Sequence, residues 1–120
     1  ASNTWIASVW RCAYQALDRA NVAIASIEAM SGFAENKNLQ EIDGQARFLR
    51  AYIAFDLVKF FGDVPFSTEY TNGFANTSKP RTDRELIYDQ IIEDLNYAKT
   101  YLVVKWLLLK YLVAVLPILY

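Results

Sequence analysis

The sequence contains no histidine and a single cysteine, Cys12. Without histidine, the side chain that changes charge near neutral pH is missing, and acid–base catalysis built on it is excluded. The two shortages together remove the usual metal sites made of His and Cys clusters, and no cofactor is expected. Cys12 cannot form an internal disulfide and so defines no redox compartment. In "VWRC" it also lacks the small residues that precede a lipidated cysteine. An excess of one charge is missing too: twelve Lys and Arg against thirteen Asp and Glu leave a net charge of −1. Nucleic acid is therefore not an expected partner, because phosphate binding needs a basic surface. The opening "ASNTW" has neither an initiator Met nor a charged-then-apolar leader, and is expected to be the start of a mature or truncated piece.

What is present is helical. With 120 residues, 54% of them hydrophobic and 21% charged, the chain has the size of one domain or a part of one. Ile6, Val9, Trp10, Ala13, Tyr14, Leu17, Ile24 and Ile27 recur at helical steps, predicting a helix over 4–31 that Ser31 and Gly32 close. Asn21 falls on that apolar face, either as a buried amide bonded to neighbouring backbone or as a ligand contact. Asn38 and Glu41 form a capping-box pattern ahead of a second helix over 39–61. Ile42, Ala46, Leu49, Ile53 and Leu57 mark one of its sides, and Phe48, Tyr52 and Phe55 another, so both sides are expected to be covered. Gly44 inside it predicts the close approach of another helix. Asp43 and Arg47, one turn apart, can pair for a few tenths of a kcal/mol.

Gly62 is predicted to end this helix in the left-handed conformation, and Pro65 to prevent its resumption. Residues 63–81 have no helical period and predict a long ordered loop, packed by Phe66, Tyr70 and Phe74 or offering one of them to a sugar. Thr82 and Glu85 form a second capping box, opening a helix over 82–102 with Ile87, Ile91, Leu95, Ala98 and Leu102 on its core face. Glu41, Asp43, Glu93 and Asp94 are read as capping or solvated carboxylates rather than an acid–base pair. The terminal stretch 103–120 is the most apolar. Lys105, Lys110 and Pro117 interrupt it well short of the roughly 20 apolar residues a membrane span needs, so a buried helix over 104–116 is set against a transmembrane reading.

Two of these stretches, "QARFLRAYIAFDLVKFFGDVPF" and "RTDRELIYDQIIEDLNYAKTYL", closely resemble the SusD/RagB family. The resemblance is carried by Arg47, Phe48, Leu49, Arg50, Ala51, Gly62, Asp63, Val64 and Pro65, then by Arg81, Glu85, Tyr88, Ile91, Asp94, Leu95 and Ala98. Trp10, Tyr14, Asn21 and Ile24 match the preceding family helix. It covers residues 5–102. In 103–120 the family's Gly-Arg turn and alanine-rich helix have no counterpart beyond a lysine and the final "LY".

The resemblance implies an all-α fold of tetratricopeptide-like antiparallel helix pairs, with residues 1–120 forming part of a larger helical protein. It also explains a helix with two apolar sides, since each helix of such a stack is covered by its partner and by the next pair. It further implies a surface-exposed outer-membrane lipoprotein, anchored through lipid outside this segment. Such a protein captures a glycan or peptide for a SusC-like TonB-dependent transporter without catalysis. A generic helical-repeat adaptor for a protein or peptide is the alternative. Trp5, at the start of the first helix beside Asn3 where a side chain can be exposed, is the candidate sugar platform, against the plainer role of covering the end of the stack.

Overall fold

The computed structural model describes residues 2–70 and 79–102. The expectations for Phe74 and for residues 103–120 lie outside them. Three helices are present, α1 (Ser2–Glu28), α2 (Lys37–Phe61) and α3 (Arg84–Tyr101), with a 3-10 turn at Phe33–Glu35 between the first two. Among the described residues there is no strand, only an isolated antiparallel bridge between Val64 and Thr82. The all-α expectation holds.

α2 is the middle element. Trp10, early in α1, meets Phe61 at the end of α2 edge-on at 4.9 Å between ring centroids. Glu28, at the end of α1, reaches back to Arg47. α1 and α2 therefore run antiparallel. The same holds for the next pair: Asp63, just beyond α2, bonds Arg84 at the start of α3, and Leu102 returns to lie against Gly44.

The core is built where the three helices converge. Tyr14 and Leu17 of α1, Ala51, Ala54, Leu57 and Val58 of α2, Val64, and Ile87 and Ile91 of α3 form one buried cluster. Each fully buried Leu or Ile there stabilises the fold by about 1.5–3 kcal/mol. The alanines of α2 let its neighbours come close. Gly44 does the same farther along: a Cβ there would stand 3.2 Å from Leu102 Cγ. The predicted close approach is real, and it is made by the end of α3.

Several local expectations need correction. α2 starts under Asn36, whose side chain accepts from the amides of Asn38 and Leu39, so Asn38 is not the cap. α3 starts under Asp83, which accepts from the Glu85 amide, while Thr82 gives its own amide to Val64 O at 2.8 Å. Gly32 is left-handed, as predicted, with φ 79° and ψ 10°. Gly62 has φ 73° but ψ −130°, the mirror image of extended backbone, which is even more restricted to glycine. Among the described residues each of the two apolar sides of α2 is covered only in part: Leu57 and Phe48 are buried, whereas Leu49 is 52% and Phe55 45% exposed. Tyr70 is exposed, whereas Phe66 packs on the core.

Candidate functional site

The segment Arg47-Phe48-Leu49-Arg50 places two guanidinium groups on the inner side of α2, three residues apart and so nearly one above the other. Arg50 is buried, and its fork closes on Asp94 of α3, Nε donating to Oδ2 at 2.8 Å and Nη2 to Oδ1 at 2.7 Å. Its Nη1 donates to Asn21 Oδ1 of α1 at 3.0 Å. Asn21 in turn donates to the backbone oxygen of Ser67 at 2.9 Å. Arg50 thus ties three helices, and Asn21 extends the tie to the segment after α2. Asn21 is the backbone-bonded buried amide of the first reading.

Arg47 lies nearer the surface. It donates to Glu28 at 2.9 Å and to Asp94 at 3.3 Å, and its guanidinium stacks over the Tyr97 ring at 4.3 Å. Gln90 adds a third donor to Asp94 Oδ1 at 3.2 Å. Above this network opens a cleft of about 280 Å³ lined by Asn21, Glu28, Arg47, Arg50, Gln90 and Glu93 among others. Its chemistry is polar, with hydrogen-bonding groups at its floor already engaged.

Phe48 is buried with Ala98 and Leu102, whereas Leu49 faces out. Gly62-Asp63-Val64-Pro65 form the second construction. Gly62 turns the chain where a Cβ would meet Arg84 Nη2 at 2.9 Å. Asp63 Oδ1 accepts from both the amide and Nε of Arg84, each at 3.0 Å. Val64 is buried and bridged to Thr82, and the Pro65 carbonyl accepts from the Tyr14 hydroxyl at 2.6 Å. Leu49 apart, the side chains described in both segments bond to or pack on the neighbouring elements.

Trp5 is 69% exposed. It stands one and two turns before Val9 and Cys12, on the same side of α1. Val9, Cys12, Ala13, Ile53, Phe60 and Phe61 line an apolar cleft of about 240 Å³ between α1 and α2. The side chain of Asn3 lies outside the described residues. No described residues bring Trp5 to the polar cleft.

The electrostatics follow burial. Removal from water pushes the Tyr14 hydroxyl well above its ordinary value, and does the same to Tyr97, with Asp43 nearby adding to the effect. Burial works against the charge of Arg47, but Glu28, Asp94 and Asp43 together outweigh it and hold the guanidinium above its usual range. Hydrogen bonds from the Arg84 side chain and amide hold exposed Asp63 below the usual carboxylate range. Asp43 goes the other way: burial raises it, against the nearby Tyr97 hydroxyl and Arg47.

The reading of Asp94 as a solvated carboxylate is overturned, for it is fully buried. The signal was present: Ile87, Ile91, Asp94 and Ala98 keep one helical stripe, on which Asp94 takes the place expected of Leu95. Leu95 is 41% exposed. Asp43 does pair with Arg47 one turn on, at 3.5 Å, but wholly enclosed rather than at the surface. Among the described residues, no group of three or more His, Cys, Asp or Glu side chains could hold a metal ion. No described helix is long and apolar enough to cross a membrane.

Comparison with known proteins adds to this picture. The SusD-like family described as "Starch-binding associating with outer membrane" matches residues 2–113. SusD-like protein P2 of Formosa agariphila is 32% identical over 101 residues, covering 83% of this chain and 20% of the relative. SusD-like protein P25 of the same organism is 26% identical over 97 residues, covering 81% and 18%. The chain thus spans about a fifth of the length of these curated relatives. No solved structure matches it significantly.

Proposed function

Because the chain belongs to the SusD-like family, we propose that the full-length protein captures nutrient glycans at the cell surface without catalysis. It delivers them to a SusC-like TonB-dependent transporter and is held at the outer membrane as a lipoprotein by an anchor outside this segment. The observation that carries this reading is the family match over residues 2–113. The reading is supported by the bonds that tie Arg47, Arg50 and Asp63 to neighbouring helices. Capture of a long, flexible polymer favours a frame tied in this way, because rigid binding groups lose little freedom when the polymer docks. The segment's part is that of a scaffold, with a sugar platform at Trp5 and Asn3. An exposed indole offers a flat apolar surface to the C–H face of a sugar ring, and a neighbouring amide fixes its orientation.

Glycan binding by the full-length protein and its Trp5→Ala variant, with helicity checked by circular dichroism, tests the platform. Weakened binding with intact helicity is expected; unchanged affinity assigns the site to other parts of the protein. Purification from native membranes tests the partner. A large β-barrel protein is expected to accompany it, and its consistent absence would remove the transporter from the proposal. Peptide binding in place of glycan binding would change the cargo and leave the delivery role standing.

A further inference from the structure

Around the end of α1, carboxylates outnumber guanidinium groups. Among the described residues, Glu28 from α1, Asp43 from α2 and Asp94 from α3 share two guanidinium groups, those of Arg47 and Arg50. Arg50 and Asp94 neutralise each other through the bidentate fork. Arg47 gives its short bonds to Glu28 and Asp94. Asp43 has only the Arg47 Nε at 3.5 Å, and neither of its oxygens, nor that Nε, completes a hydrogen bond. Yet Asp43 is 0% exposed. An ionised carboxylate enclosed in this way, opposed by burial and by the Glu28 charge and helped only in part by the Tyr97 hydroxyl and Arg47, is a costly state for the cluster. The groups facing it are Glu28 from α1, Arg47 from its own helix, and the Tyr97 hydroxyl from α3, with Asp94 behind Arg47.

We propose that Asp43 holds a proton in the folded protein and donates it toward the Glu28 carboxylate, making a pH-sensitive latch between the end of α1 and the start of α2. The proton removes the surplus negative charge and turns an orphaned acceptor into a donor. Arg47 then remains free to serve Glu28 and Asp94. The direction of the Asp43 shift agrees, since burial and the Glu28 charge both favour the neutral acid. A carboxyl group that binds its proton more tightly when folded contributes stability that is complete below its unfolded pKa. That contribution is lost as the pH rises through the folded pKa. Deprotonation places two carboxylates in contact and loosens Glu28 from the start of α2.

The test is the thermal midpoint of the full-length protein against pH, for the parent, Asp43→Asn and Glu28→Gln. Asp43→Asn carries the neutral form permanently, so the parent is expected to fall below it in midpoint as the pH rises. Glu28→Gln removes the charge that helps hold the proton on Asp43 and is expected to shrink the parent's loss of stability at rising pH or abolish it. The proposal is overturned if the parent's advantage over Asp43→Asn grows with pH, which marks an ionised Asp43 paired with Arg47. Should Asp43→Asn fail to fold, Glu28→Gln decides alone, and a pH profile identical to the parent's sinks the latch.

Discussion

Two of the Arg–Asp pairs that fasten α3 to α2 and the turn after it, Arg50–Asp94 and Arg84–Asp63, differ in almost everything but chemistry. Arg50 and Asp94 meet inside the protein, with side chains 4% and 1% exposed. Arg84 and Asp63 meet at the surface, 53% and 46% exposed. In the first pair every short bond replaces water that is gone, and the guanidinium is shared with Asn21. In the second, water competes throughout, and the pair's main service is to place an acceptor on the first amide of α3. The same two residue types thus act as an internal tie in one place and as a helix cap in the other. Burial decides which.

The comparison is broken most severely from the inside. Asp94→Ala strands two guanidinium groups, and a loss of about 3–5 kcal/mol is expected, read as a large drop in the denaturant midpoint of the full-length protein. The double variant Arg50→Met, Asp94→Leu should recover much of that loss, because the desolvation cost disappears with the charges. A double variant no more stable than Asp94→Ala would show that Asn21 and Arg47 depend on the pair more than its own charges do.

Gly62→Ala comes next. It requires a backbone conformation that alanine avoids and pushes on Arg84, so a loss of about 1 kcal/mol or more is expected. A melting temperature equal to the parent's would contradict the positive φ. Tyr14→Phe leaves the buried Pro65 carbonyl without its donor and should cost about 1 kcal/mol.

Asp63→Asn is the smallest change. A slight fall in midpoint is expected at low salt, shrinking as salt is added. The sign of its pH dependence is opposite to that of Asp43. Bonds from Arg84 lower the folded pKa of Asp63, so its contribution is present above the unfolded pKa and fades as the pH falls through the folded one.

Much of the frame was legible before any coordinates. Apolar periodicity located three helices, Gly32 and Gly62 marked two stops, and Gly44 announced a close approach. The caps slipped by one or two residues because Asn36 and Asn38, or Thr82 and Asp83, are equally able acceptors, and only the path of the preceding chain chooses between them. The polar network was harder to see. A carboxylate between Ile91 and Ala98 can be read as solvated until a partner from another helix is known, and Arg50 lies 44 positions away along the chain from Asp94. One clue did exist: Ala46 and Ala54 flank Arg50 at four-residue steps, so it has no acidic partner at those steps on its own helix.

The Val64–Thr82 bridge and the Asp63–Arg84 clip have a consequence for how this protein can vary. They sit at the two ends of the excursion between α2 and α3 and fasten those ends together, much as a drawstring closes the neck of a bag. Just beyond the neck, Pro65 and Ser67 are still bonded to α1 and Phe66 packs on the core. Lengthening a closed segment costs little, about 0.6 kcal/mol for each doubling. Residues added between 71 and 78 should therefore leave the unfolding midpoint nearly where it was. The neck gives the protein a place where new surface can be tried without reopening the packing of its helices.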